Sequence, residues 1–526
     1  MDLATLIIVL VFFLAAIGYF GYLGYKETTN QSDYLVAGRS THPFVMAMSY
    51  GAAFISTSAI VGFGGVAGLF GLGLMFLPLM NIGIGVLAAF LVFGIRTRRM
   101  GKNLNARTFP ELLGNRFKSN NLKIACAAII FLFMPLYSSV VLIGGARFLQ
   151  EVMSVEYEIA LLIFAGVVAF YVIFGGLKGV MMIDAFMGSI MLAGMIFLLT
   201  MTYIKLGGVI EAHQSLTDMA NLVPASLQAK GHVGWSCMPK FNSEWWWNLV
   251  TSLMLGVGIG ALAQPQLAVR FMTVKSTREL NRGILVGAIF ILFTAGTAYV
   301  VGALSNVYFL KTTGKIAIDA AKGNSDLIIP LFINNAMPKF FVYIFALTLL
   351  SAAMSTLSSL FHVTGSALGH DFFRNLYNKR SDSLVMNRVG ICIGIVLSVI
   401  LAFILPIGIV ARGTSIFFGV CAAAFMPSYF AAIYWRKATK AGVWASIISG
   451  VVVSLFGLLF LHEKESAGLG VCKEIFGKDV LIETFPWPYV DTLVYALPIS
   501  VVVLVVVSLL TPQLNAPHIR RCFKNR

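Results

Sequence analysis

The sequence predicts an all-helical integral membrane protein with thirteen transmembrane helices, and three observations carry that prediction. Of 526 residues, 58% are hydrophobic and 11% charged, with a mean hydropathy of +0.87; soluble chains carry about 25% charged residues. The apolar residues come in runs of about 20, the length that crosses a hydrocarbon core of about 30 Å. The 38 Lys and Arg and the 22 Asp and Glu gather between those runs, too few to coat several soluble domains.

Taken in order, the first run, Leu3 to Tyr25, follows Met1-Asp2 without the basic region of a secretory leader and outlasts a leader's core, so it reads as a retained span. The thirteen spans are 3–25, 43–70, 73–95, 122–149, 157–177, 181–206, 246–272, 283–309, 337–368, 385–410, 413–435, 440–461 and 488–511. Each crossing flips the side, so charge tests the count. With the N-terminus outside, 26 of the 38 basic residues and 7 of the 22 acids fall inside, which leaves the inner face at +19 and the outer at −3. The inner set includes Lys26, Arg39, Arg96 to Lys123, Lys178, Arg270 to Arg282, Arg374, Lys379, Arg380, Arg388, Arg436 to Lys440 and Arg520 to Arg526. The positive-inside rule therefore predicts a multi-pass plasma-membrane protein with an outer N-terminus and a cytoplasmic C-terminus. The formal charge of +16 becomes a topology signal, with no nucleic-acid partner implied.

The loops at about 26–42, 96–121, 207–245, 310–336 and 462–487 are too short for an enzyme domain, and the seven His are scattered. No catalytic residues are expected. Six Cys rule out a disulfide scaffold; Cys237 and Cys472 lie in separate outer loops, where a bridge and two free thiols both stay open.

Three spans break the apolar pattern. The second reads Ser49-Tyr50-Gly51-Ala52-Ala53-Phe54-Ile55-Ser56-Thr57-Ser58 and continues through Gly62, Gly64, Gly65 and Gly68. The seventh reads Gly256-Val257-Gly258-Ile259-Gly260-Ala261-Leu262-Ala263-Gln264-Pro265. Small residues serve tight helix packing, but interrupted helices at matching places of two five-helix halves point to an inverted-repeat transporter with a midplane site. The ninth span holds Ser351, Ser355, Thr356, Ser358 and Ser359, with His362 on the same stripe. A lone hydroxyl in a membrane helix usually bonds its own backbone; five in nine residues suggest oxygen ligands for a hard monovalent cation. Asp184, in the sixth span, is an acid at membrane depth and so a functional candidate.

These residues resemble the sodium:solute symporter family from about Asp33 to Lys440. The motifs are Asp33-Tyr34-Leu35-Val36-Ala37-Gly38-Arg39; Phe174-Gly175-Gly176-Leu177-Lys178-Gly179 with Asp184; Gln264-Pro265-Gln266 with Arg270-Phe271-Met272; and Tyr434-Trp435-Arg436-Lys437 running to Gly442. Ile183, Met187 and Gln266 depart from the family's Thr, Gln and His. The resemblance implies a LeuT-like 5+5 inverted repeat with one extra N-terminal and two extra C-terminal helices. Residues 1–42 would hold the extra helix and an inner loop, 43–206 the first repeat, 207–245 an outer loop, 246–435 the second repeat, and 436–526 the last two helices and tail.

By resemblance, sodium would be bound by the carbonyls of Ala52, Ile55 and Ala352 and the hydroxyls of Ser355 and Thr356. Asp184, Ser358 and Ser359 match a second sodium site found in some members, which leaves one or two ions per cycle open. Members resembling proline carriers have an Asp two positions before the equivalent of Ser56 and a Trp and Tyr ahead of the Gln-Pro pair. This chain has Phe54, Val257 and Ala261 there, which demotes an amine-bearing substrate. Gly144-Gly145-Ala146-Arg147 and Leu161-Leu162-Ile163-Phe164 look more like pantothenate and related carboxylate carriers.

The expectation is import of a small organic carboxylate, pantothenate or a monocarboxylate, with proline, another amino acid or a sugar as alternatives within the family. A transporter-like sensor or a channel is the alternative from another class. Substrate-site candidates are Phe54, Ser56, Tyr137, Ser138, Arg147, Val257, Ala261 and Gln264. Arg147 matches a carboxylate by its guanidinium and equally suits an interfacial anchor. The Trp245-Trp246-Trp247 run reads as an aromatic belt. The expected partners are a small organic solute and the bilayer, in a monomer or weak homo-oligomer.

Overall fold

The computed structural model describes residues 3–153, 155–373, 384–405 and 410–524. Arg374, Lys379, Arg380 and Arg526, counted above for their charge, lie outside these. The described residues form helices joined by short turns, with one isolated bridge between Thr41 and Val274.

Eleven helices are long and apolar enough to cross a membrane. Two of them, Ser58–Asn103 and Tyr157–Lys205, are 46 and 49 residues long. At 1.5 Å per residue each exceeds about 65 Å, room for two crossings of a core of about 30 Å. Both are interrupted by a glycine with positive φ, Gly71 (79°) and Gly176 (57°), a conformation that a side chain would strain. The expected thirteen spans would follow from eleven helices only if each of these two runs crosses twice.

The two expected breaks are real. The Pro43–Phe54 helix starts with His42 Nδ1 accepting the Phe44 N–H at 3.2 Å and with Pro43 in its first turn. It stops where Ile55 turns extended (φ −90°, ψ 103°), and the chain turns helical again at Thr57. In the seventh span Gln264 is extended (φ −73°, ψ 116°) between Ala263 and the Pro265–Phe271 helix. The ninth span, Lys339–Ser366, is continuous, buried along most of its length, and packs on the fifth-to-sixth run and on Pro43–Phe54. Close backbone approach explains part of the glycine content: a Cβ on Gly302 would lie 2.0 Å from the Gly64 carbonyl oxygen.

Several charges assigned to loops are interior. Arg116 is fully buried, with Nε donating to the Ala432 carbonyl at 3.1 Å and Nη2 to that of Trp435 at 3.2 Å. Trp245 departs from the aromatic-belt expectation: it is buried, its ring centre 3.8 Å from that of Phe70. Its neighbours Trp246 and Trp247 are half-buried. Cys237 and Cys472 are both free, the first exposed and the second buried.

Candidate functional site

The break at Ile55 and the unbroken ninth span make the centre of the site. Ending a helix leaves its last carbonyls without intrahelical partners. The hydroxyls of the ninth span meet them: Ser355 Oγ lies 2.9 Å from the Ala52 oxygen, and Thr356 Oγ1 lies 3.4 Å from both the Ala52 and Ala53 oxygens. Ser355 Oγ is also 2.7 Å from the Ser351 oxygen and 3.3 Å from that of Ala352. Ala52, Ile55, Ala352, Ser355 and Thr356 are all at most 1% exposed. Neutral oxygens are thus concentrated and buried where these two helices meet, the donor chemistry of a hard cation.

Asp184, Ser358 and Ser359 also come together, but an arginine sits among them. Asp184 Oδ2 accepts from Arg270 Nη2 and from Ser49 Oγ, both at 2.8 Å, while Oδ1 accepts from Ser358 Oγ at 3.2 Å. Arg270 also donates from Nη2 to Ser359 Oγ, from Nε to Ser49 Oγ at 2.9 Å and from Nη1 to the Gln266 carbonyl at 2.7 Å. Both charged side chains are at most 1% exposed. Counting Arg270 as a cytoplasmic loop charge is therefore corrected: its guanidinium is buried and pairs with Asp184. The signal for it was in the sequence, since an ionisable residue beside an interrupted span is a functional candidate.

Of the substrate-site candidates, Phe54, Ser56, Tyr137, Val257, Ala261 and Gln264 are buried around the same two breaks. Tyr137 donates to Ser56 Oγ at 3.4 Å, stacks on Phe417 at 4.9 Å and meets the edge of Phe418 at 5.5 Å. Phe54 lies 6.2 Å from Phe418. Gln264 donates to the Gly260 carbonyl and accepts from Gln266, whose own Oε1 has no protein partner among the described residues. Ser138 bonds back to Met134 at 3.0 Å, the ordinary fate of a helical serine. Arg147 does not join the group. It is exposed, its guanidinium 4.0 Å above the Tyr157 ring and bonded to Gln150, which is the interfacial anchor and not the carboxylate partner. His362, though on the serine stripe, donates Nε2–H to the Tyr34 carbonyl at 2.8 Å and so pins the Gln31–Val36 helix. Phe417 and Phe418 escaped the sequence reading because ring-to-ring contact between distant spans leaves no local pattern.

A cavity of about 170 Å³ lies between the second and seventh spans and the 462–491 segment. Arg412 and His462 both contact Glu465 there. Burial opposes the Glu465 charge, but these two partners outweigh it and hold the carboxyl down at about 2. Asp326, across the cavity, is pushed up to about 6 by burial.

The sodium:solute symporter family model matches residues 34–450. An osmoregulated proline transporter of Bacillus subtilis (strain 168) is 26% identical over 461 residues, 86% of this chain and 89% of that protein. A sodium/pantothenate symporter of Haemophilus influenzae is 28% identical over 453 residues, 85% of this chain and 88% of that one. Among solved structures, a substrate-bound, outward-open sodium-coupled sialic acid symporter superposes with a TM-score of 0.73 at 17% identity, covering 97% of this chain and 98% of its own.

Proposed function

The chain belongs to the sodium:solute symporter family, and on that premise we propose that it imports a small organic carboxylate by sodium-coupled alternating access. The observation that carries the reading is the Ile55 break, whose freed carbonyls face Ser355 and Thr356. Sodium held by Ala52, Ile55, Ala352, Ser355 and Thr356 ties the broken second span to the ninth and favours one arrangement of the bundle. Substrate meets that arrangement with higher affinity, and coupling is this difference between states. The protein sits in the plasma membrane with its N-terminus outside and C-terminus inside, so the membrane potential adds about 2.3 kcal/mol per charge per 100 mV to uptake. One sodium moves per cycle, because Arg270 already serves as the cation for Asp184, Ser358 and Ser359.

The carboxylate rests on the surroundings of Ser56 and Tyr137: no acidic side chain is among the described residues gathered there, so an amine-bearing substrate would find no counter-charge. A proline substrate is the second reading, favoured by the names of similar proteins. Counterflow in proteoliposomes, screening carboxylates, amino acids and sugars with sodium or choline, tests both. Carboxylate exchange that needs sodium is expected; exchange unchanged in choline refutes sodium coupling, and exchange of proline alone refutes the carboxylate.

A further inference from the structure

We propose that the groove between the first and fifth spans binds one anionic phospholipid from the leaflet on the basic side. The groove has a physical origin. The Leu3–Glu27 helix crosses the fifth-to-sixth run at Gly24, where a Cβ would lie 2.2 Å from the Gly179 Cα. From that clamp the helices part toward Leu14 and open a concavity of about 940 Å³. It runs from Tyr25 to Leu14, about 17 Å at 1.5 Å per residue. A single leaflet is half of a core of about 30 Å, so the groove is as long as one lipid tail is deep.

Its walls are built to stay open. Leu162, Ile163 and Phe170 are 54 to 69% exposed. Gly18 and Gly166 line it, and a Cβ on either meets nothing within 4 Å. Helices disfavour glycine relative to alanine, and no close packing within the chain calls for it at these two positions. Side chains there would fill the groove, and a void in hydrocarbon forfeits dispersion contacts, so an acyl chain is the occupant that the surrounding phase supplies.

Charge selects the headgroup. At the basic end, Tyr22 and Tyr25 sit where aromatic side chains meet headgroups. Lys26 follows, exposed. The Arg388 guanidinium lies 5.4 Å from the ring centre of Phe174, a groove residue. Lys178 is neutralised by Glu27 at 2.8 Å, which leaves Lys26 and Arg388, among the described residues, as the cations for an anionic phosphate group.

Native mass spectrometry of the full chain, taken from nanodiscs of phosphatidylcholine with about a quarter phosphatidylglycerol, tests the site. Wild type is expected to retain one phosphatidylglycerol. Gly18→Leu with Gly166→Leu should lose it while melting as wild type does in pure phosphatidylcholine. Lys26→Gln with Arg388→Gln should keep a lipid but lose the preference for phosphatidylglycerol, and this pair decides the matter if the leucine variant does not fold. The proposal is overturned if wild type retains no anionic lipid, if the leucine variant retains as much as wild type, if the glutamine variant keeps the preference, or if wild type is a dimer that the leucine variant dissolves. Counterflow by the leucine variant separates this site from the transport reading, since sodium-dependent exchange should persist with the lipid gone.

Discussion

Replacing Asp184 with Asn tests the centre of the bundle most directly, because it removes one charge from a fully buried pair. Asp184 accepts three hydrogen bonds, from Arg270, Ser49 and Ser358, and Arg270 is 1% exposed. Asn keeps the shape but strands the guanidinium. Removing one partner of a buried pair costs about 3–5 kcal/mol, a large share of a total stability on the order of 5–15 kcal/mol. Arg270→Gln alone should cost a similar amount, by stranding the carboxylate. The double variant Asp184→Asn with Arg270→Gln strands neither charge, so its loss should fall short of the summed single losses by about 2–3 kcal/mol, the upper range of coupling between contacting residues. Unfolding in mixed micelles at fixed sodium measures all four proteins. Losses that add to within about 0.5 kcal/mol would mean that the two side chains do not pair. A sodium titration of wild-type uptake supplies the second readout: a Hill coefficient near 1 belongs with a guanidinium beside Asp184, whereas a value near 2 would return a second sodium to Asp184, Ser358 and Ser359.

The remaining predictions concern sodium, substrate and pH. Ser355→Ala with Thr356→Ala removes two proposed ligand oxygens; at about 1.4 kcal/mol per tenfold and about 1–3 kcal/mol per lost buried polar contact, half-saturating sodium in uptake assays should rise at least tenfold, and an unchanged value would place the ion elsewhere. Tyr137→Phe keeps the stack on Phe417 and loses the hydroxyl on Ser56, so KM should rise several-fold, on the order of 1 kcal/mol, with the melting temperature unmoved. For acid stability, Glu465 is held down at about 2; its contribution is present above the unfolded carboxylate value of about 4.3 and lost as pH falls through 2. Glu465→Gln should therefore flatten the melting profile across that window. Asp326 has the opposite sign: held up at about 6, it favours folding below the unfolded value of about 3.9 and loses that contribution as pH rises through 6. Asp326→Asn should then melt higher than wild type at pH 7 and equally at pH 3.

What the sequence revealed and what it hid divide along a physical line. Backbone interruptions were legible because glycine clusters and Gln264-Pro265 act locally, and the extended residues are Ile55 and Gln264, within the stretches expected. The ninth-span hydroxyls were legible because five in nine residues exceed what self-bonding helices need. The positive-inside count, by contrast, treats each span as one uninterrupted helix whose end reaches water. Breaking the seventh span at Gln264 leaves a half-helix of seven residues, and Arg270 on it stays within the bundle although it stands at the edge of an apolar run. The same break that marks a transporter thus draws a cation inward. Arg147 fails in the reverse direction: the residue type suits a carboxylate, but its guanidinium lies over the Tyr157 ring at the surface, apart from the residues gathered around Ser56. Side-chain direction at a span's end depends on the partner that the next helix brings, so charge at membrane depth should be assigned to the interior wherever its span is broken within two turns of it.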